Sequence, residues 1–117
     1  MLDLILSLFV STIVYAKEVE VERVILAEVT AYSAIDSCHT GPDCLMANGK
    51  RAEVGFLACP RKYALGAKFK LLDTVYECGD RTSIDYGERF DIFMGHTKES
   101  YDKAVEFGKQ ELSIIVL

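Results

Sequence analysis

The chain has 117 residues, half of them hydrophobic, and a formal net charge of −5. That length supports one domain with a packed core and is too short for two. The acidic balance, with no Lys/Arg run longer than two residues, gives no basic patch to neutralise phosphates, so nucleic acid is not an expected partner.

The first element is an apolar stretch from Leu2 to Ala16, ending in Val14-Tyr15-Ala16 before Lys17-Glu18. It is shorter than the roughly 20 residues a spanning helix needs and matches a secretory h-region with a small-residue cleavage site. Residues 1–16 are therefore expected to be a signal peptide, and the mature protein secreted or periplasmic with no stable membrane span. The start carries Asp3 and no Lys or Arg, so an uncleaved anchor or a buried first helix is the alternative. Residues 17–23 alternate charge with valine, as a linker or edge strand would, and residues 24–117 form the expected domain.

Val24 to Tyr32 is rich in β-branched and aromatic residues and reads as the first core strand. Ser33 to Arg51 is a long loop punctuated by Gly, Pro, Asp and Asn, of a length that is usually functional when ordered. Val54–Cys59 is the next strand, and Phe69–Leu72 with Thr74–Cys78 make a hairpin across Leu72-Asp73. Phe90–Met94 and Leu112–Leu117 bring the count to about six strands. Between the last two, Tyr101, Ala104, Val105 and Gly108 fall at i, i+3, i+4 and i+7, with Thr97 able to cap the start and Gly108 to end it, which predicts one helix. Many short strands with one late helix argue for a mainly β fold, a small barrel carrying a helix.

The four cysteines, in a short exported chain, predict two disulfides among three possible connectivities. Cys38 and Cys44 share one loop whose Gly41-Pro42-Asp43 centre bends the chain back, so a local bridge is the first choice, leaving Cys59 and Cys78 to staple two strands. Zinc held by the thiols and His39 is the rival, but no Cys-x-x-Cys or His-x3-His spacing supports it. No metal or cofactor is expected, and His39 reads as an exposed loop residue.

The richest run is Glu77 to Phe93, which sets Asp80 and Asp91 at opposite ends of a turn-rich excursion between two strands. Such a layout can bring both carboxylates to one rim of a sheet, the arrangement acid/base chemistry requires. Asp91 interrupts an otherwise aromatic and aliphatic segment, Phe90 to Met94, whereas Asp85 and Glu88 flank the turn as solvated charges.

Taken together, Thr30-Ala31-Tyr32, Ala64-Leu65-Gly66, Asp80 followed by Ile84, Gly87, Arg89 and Asp91, and Ala104 with Phe107-Gly108 before the final strand resemble the three-aspartate domain. The resemblance spans essentially the whole chain after the leader. It implies a six-stranded double-psi β-barrel of the kind found in membrane-bound lytic transglycosylase A and stationary-phase muralytic proteins. It also implies cleavage of the β-1,4 bond between N-acetylmuramic acid and N-acetylglucosamine in peptidoglycan, closing a 1,6-anhydro ring on the muramyl sugar. One carboxyl group can protonate the leaving oxygen and then take the proton of the sugar's C6 hydroxyl. A second carboxylate raises its pKa or supports charge on the ring.

On that resemblance Asp91 is the general acid/base and Asp80 its supporting acid, with Thr30, Tyr32, Arg81 and Thr82 contacting the sugars. The implied partner is the peptidoglycan glycan strand, engaged by a monomer. Two places depart from the pattern. Cys59, in Leu57-Ala58-Cys59-Pro60, stands where the family has its first aspartate. Asp80-Arg81-Thr82-Ser83 replaces Asp-Thr-Gly-Gly, removing glycines that let the backbone approach a substrate. Met46 to Lys50 resembles a Thr-Ala-Asn-Gly segment of rare lipoprotein A and expansin-like barrels, so a glycan-binding barrel without catalysis is the alternative. Hydrolysis, with Asp80 activating water, is the third reading.

Overall fold

Chain punctuation sets the element borders in the computed structural model, which describes residues 23–38 and 43–117. The elements are β1 Arg23–Tyr32, α1 Ala34–Ser37, β2 Phe56–Cys59, β3 Lys68–Leu71, β4 Thr74–Arg81, a 3-10 turn Ile84–Tyr86, β5 Arg89–Phe93, α2 Lys98–Phe107 and β6 Gln110–Val116. The expected leader 1–16, residues 17–22 of the expected linker, and His39 lie outside the described residues. Arg23, the last residue assigned to the linker, opens β1.

The six strands close into a barrel in the order β1-β5-β2-β4-β3-β6. Two neighbouring pairs, β1 with β5 and β2 with β4, run parallel, and the other contacts are antiparallel. Closure pairs every strand on both sides, which removes the exposed edges an open sheet must protect.

The β3–β4 hairpin turns at Leu72 and Asp73, both with φ near +50 to +60° (51° and 61°). Two consecutive positive-φ residues match the twist of the flanking strands, even though neither is the Asn or Gly that such a turn favours. Val54, expected in a strand, instead sits exposed in the turn that precedes β2.

The expected helix is α2, capped by the Thr97 hydroxyl accepting from the Ser100 N–H and ended by Gly108 at φ 64°. Its buried stripe differs from the expected one. Ser100 and Ala104 face inward and Phe107 packs against the core, whereas Val105 is exposed. The inward face is thus rotated by about one residue, because Ser100 packs against Gly95, where even a Cβ would come within 2.3 Å of its hydroxyl. With the short α1 there are two α-helices among the described residues rather than one.

Inside the barrel, strand alternation places Val29, Leu57, Phe69, Leu71, Phe90, Ile92 and Ile114 in one apolar cluster. Phe69 and Phe90 meet edge to face at 4.9 Å between ring centroids, and Tyr63 packs on Phe69 at 5.0 Å. Both expected disulfides form: Cys59–Cys78 lies within this core and Cys38–Cys44 closes the loop after α1. No cysteine among the described residues is free, so no thiolate remains for the zinc alternative. Two disulfides suggest an oxidising compartment. Among the described residues no helix is long and apolar enough to cross a membrane.

Candidate functional site

The outer face of the β1–β5 pair is a ladder of three matched cross-strand contacts. Glu28 lies opposite Arg89, Thr30 opposite Asp91, and Tyr32 opposite Phe93. The first pair is a salt bridge. In the second, the Thr30 hydroxyl donates to Asp91 Oδ1 at 3.0 Å. In the third, the rings of Tyr32 and Phe93 meet edge to face at 5.2 Å. Directly opposed side chains in a sheet share one face, so Thr30, Asp91 and Tyr32 stand together on the outside of the barrel wall.

Ala58 extends this row. It is opposite Asp91 on one side and opposite Asp80 on the other, which sets Thr30, Asp91, Ala58 and Asp80 in line across four strands. The two acids are separated by one intervening strand, hence roughly 10 Å between their backbones at two strand spacings. Ala58 has only a methyl group, so the floor between the carboxyls stays low.

A β-bulge brings Asp80 onto this face. The register of β2 against β4 shifts between Leu57 and Ala58: Leu57 faces Cys78, and Ala58 faces Asp80, with Gly79 passed over. Without that extra residue, alternation from the inward Cys78 would turn Asp80 toward the core; the bulge re-aims it outward. Gly79 suits the place, since a Cβ there would lie 2.8 Å from the Phe56 ring and 2.9 Å from the Met46 side chain.

The cysteine-bridged loop roofs one side of the row. Leu45 and Arg51 bridge to each other, and Asn48 N–H donates to Gly79 O at 3.0 Å. Asp80 Oδ1 accepts the N–H groups of Ala47 at 3.1 Å and Arg81 at 2.9 Å. The result is a cleft of about 310 Å³ lined by Tyr32, the Cys38–Cys44 bridge, Met46, Ala58, Asp80, Arg81 and Asp91.

The two acids are held differently. Burial pushes the Asp91 carboxyl up to about 6, and the charges of Asp36 and Asp80 push the same way. The Thr30 hydrogen bond and Arg89 oppose this without cancelling it. Asp91 can thus carry a proton near neutral pH and give it up locally, as a general acid/base must. Asp80 uses one oxygen to pin the roof loop. Tyr32 is 8% exposed, and its phenol has no hydrogen-bond partner among the described residues. Burial, then Asp80 and Asp91, raise its pKa, so the phenol keeps its proton.

Of the residues expected in the site, Asp80, Asp91, Tyr32 and Arg81 line the cleft and Thr30 bonds to Asp91 from the adjoining strand. Arg81 directs its guanidinium at the carbonyls of Pro60 and Tyr63, so it braces the chain after β2. Thr82 departs from the expectation: it lines a separate hollow with Pro60 and Ile84, because it lies two residues beyond Asp80, past the end of β4. Asp85 is exposed in the 3-10 turn, while Glu88 pairs with Lys62 and accepts from the Tyr63 hydroxyl at 3.0 Å. Cys59 is fully buried and bonded to Cys78.

Two contributors escaped the sequence reading. Asp36 closes a capping box at α1, accepting from the Ser33 N–H at 3.0 Å and hydroxyl at 2.8 Å, and its charge reaches Asp91. The Ser33-x-x-Asp36 spacing could have revealed the box, though not its nearness to Asp91. Ala58 carries no chemical signal in sequence and matters only by being small. Scanned against protein-family models the chain matches none, and a search of curated proteins returns no match.

Proposed function

We propose that the chain is a double-psi barrel of the three-aspartate type and acts as a lytic transglycosylase on peptidoglycan, with Asp91 as general acid/base. The double-psi reading is supported by the two parallel strand pairs in an otherwise antiparallel barrel, which demand two crossover connections. The observation that carries the activity is the row Thr30–Asp91–Ala58–Asp80 along an open cleft. A glycan laid across it meets a proton-bearing carboxyl, a second carboxylate and the Tyr32 ring.

In this reading Asp91, neutral below pH about 6, protonates the glycosidic oxygen as the bond to the muramyl carbon breaks. Asp80 supports the positive charge that builds on that sugar. The carboxylate left on Asp91 then takes the proton from the sugar's C6 hydroxyl, whose oxygen closes the 1,6-anhydro ring. Asp91 regains its proton, and no water is consumed. Thr30 orients the carboxyl, and the Tyr32 ring forms part of the cleft wall. Action on the wall places the protein outside the cytoplasm, which the disulfides favour.

Non-catalytic glycan binding is the second reading. It is favoured by Asp80 being tied to the Ala47 and Arg81 N–H groups and by Cys59 taking the place of an acid. Mass spectrometry of purified sacculi digested with the protein separates the readings. Anhydromuramyl products are expected. Reducing-end products would indicate hydrolysis, and co-sedimentation without release would indicate binding alone.

A further inference from the structure

The two disulfides stand in opposite surroundings. Cys59 and Cys78 are fully buried in the apolar core of the barrel. Cys38–Cys44 instead lines the open cleft, and Cys38 is only half-buried. Thiol–disulfide exchange requires a thiolate to reach one of the two sulfurs, so access separates the bridges. A reductant in solvent meets Cys38 at the cleft, whereas the core bridge is shielded by the folded barrel.

The accessible bridge also fastens the part of the cleft that holds Asp80. Cys38 is the C-cap of α1, and its partner Cys44 opens the roof segment 44–52, whose ends meet where Ala52 N–H donates to Cys44 O at 2.9 Å. From the middle of this segment Asn48 N–H donates to Gly79 O at 3.0 Å and Ala47 N–H to Asp80 Oδ1 at 3.1 Å. The apolar support beneath the roof is small: Cys44, Met46 and Ala52 pack with Tyr32 and Phe93 in a cluster separate from the barrel core. A unit with little apolar support can open locally while the rest of the fold persists. Cys44 adds a bias toward opening, since its φ of 49° is a left-handed conformation that a residue with a Cβ disfavours. Breaking the S–S bond leaves Cys44 able to relax from it.

We propose that Cys38–Cys44 is a redox latch on the cleft: a dithiol reductant opens this bridge selectively, and the roof then releases Asp80 and disables the site. A thiolate of the reductant attacks Cys38 Sγ, the S–S bond breaks, and Cys44 leaves as a thiolate that takes up a proton. The reductant's second thiolate attacks the mixed disulfide, Cys38 leaves and takes up the second proton, and the reductant ends as a cyclic disulfide. Two electrons and two protons have passed to the cysteine pair. Cys59–Cys78 stays closed, so the barrel remains folded and reoxidation restores the cleft. Control over catalysis rests on the lytic reading of the cleft; the opening of the roof does not.

The test titrates the oxidised full chain with dithiothreitol, traps released thiols with iodoacetamide and locates them by peptide mass spectrometry. Cys38 and Cys44 should be alkylated at a reductant concentration about tenfold or more below that needed for Cys59 and Cys78. At that concentration the Ala47 and Asn48 amides should exchange with solvent about tenfold faster or more, while the core amides of Phe90 and Ile114 keep their protection. Release of anhydromuropeptides should fall by about tenfold and recover on reoxidation. Cys38→Ser with Cys44→Ser should behave as the reduced protein and ignore the reductant, its Phe90 and Ile114 amides verifying the fold. If both bridges reduce together, or Ala47 and Asn48 keep their protection once Cys38 and Cys44 are reduced, the latch is overturned. Equal release from oxidised and reduced protein overturns its control of the site. If the roof amides respond but the oxidised chain releases nothing from sacculi, the latch stands and the lytic reading falls.

Discussion

The two sides of the cleft hold their acids in opposite ways. On the β1–β5 side, Asp91 is partly buried, receives one hydroxyl hydrogen bond and holds its proton up to pH about 6. On the β2–β4 side, Asp80 binds two backbone N–H groups and fastens the disulfide loop over the floor. Two aspartates in one row of a sheet thus divide the work. One environment disfavours charge and prepares a proton donor; the other supplies donors and makes a clamp.

Removing the proton donor should have the largest effect. Asp91→Asn is expected to lower release of anhydromuropeptides by at least about 100-fold, within the usual range for losing a general acid/base. The same variant should gain stability above neutral pH. Because burial raises the Asp91 pKa, the native state holds an extra proton between pH about 4 and about 6, and stability falls as pH rises through that window. Urea unfolding at pH 7.5 should show Asp91→Asn more stable by on the order of 2 kcal/mol, with the pH 4–6 slope largely gone. Wild-type activity in this variant would remove Asp91 from the mechanism.

Asp80→Asn should act more gently, since the amide oxygen can still accept from Ala47 and Arg81. Roughly a tenfold loss in rate is expected for losing a supporting charge worth about 1.4 kcal/mol. Its signature lies in the pH profile. Wild-type activity should decline as pH rises through about 6, and without the Asp80 charge, which helps hold the Asp91 proton, that decline should move to lower pH. An unchanged profile with reduced rate would mean that Asp80 acts only as the clamp.

The smallest effect tests the scaffold far from the cleft. Leu72 and Asp73 both adopt positive φ, and Leu72 is exposed, so Leu72→Asn with Asp73→Gly should relieve strain. Thermal unfolding should show a gain of about 1 kcal/mol, with activity unchanged. A loss of activity in that variant would couple the hairpin to the cleft and blur the contrast between scaffold and site.

Much of this architecture was legible in local chemistry. The strands follow their β-branched and aromatic runs, Thr97 and Gly108 bound α2, and the two disulfides pair as loop geometry indicated. Asp91 stood out because an acid inside Phe90 to Met94 must either face outward or be costly. These features depend on residues close in the chain, so the sequence carries them.

Asp80 is the instructive contrast. Its residue type was visible, but alternation from Cys78 points it inward, and only the bulge opposite Leu57 and Ala58 turns it onto the row with Asp91. The same is true of the roof that Ala47 hangs on Asp80, the reach of the Asp36 charge, the rotation of α2 that exposes Val105, and the assignment of Thr82 to its own hollow. Local residue chemistry dictates which elements form and which acids are available. Barrel closure decided which of them share a face, because register and bulges are settled by strands that meet across long separations and bury one common core.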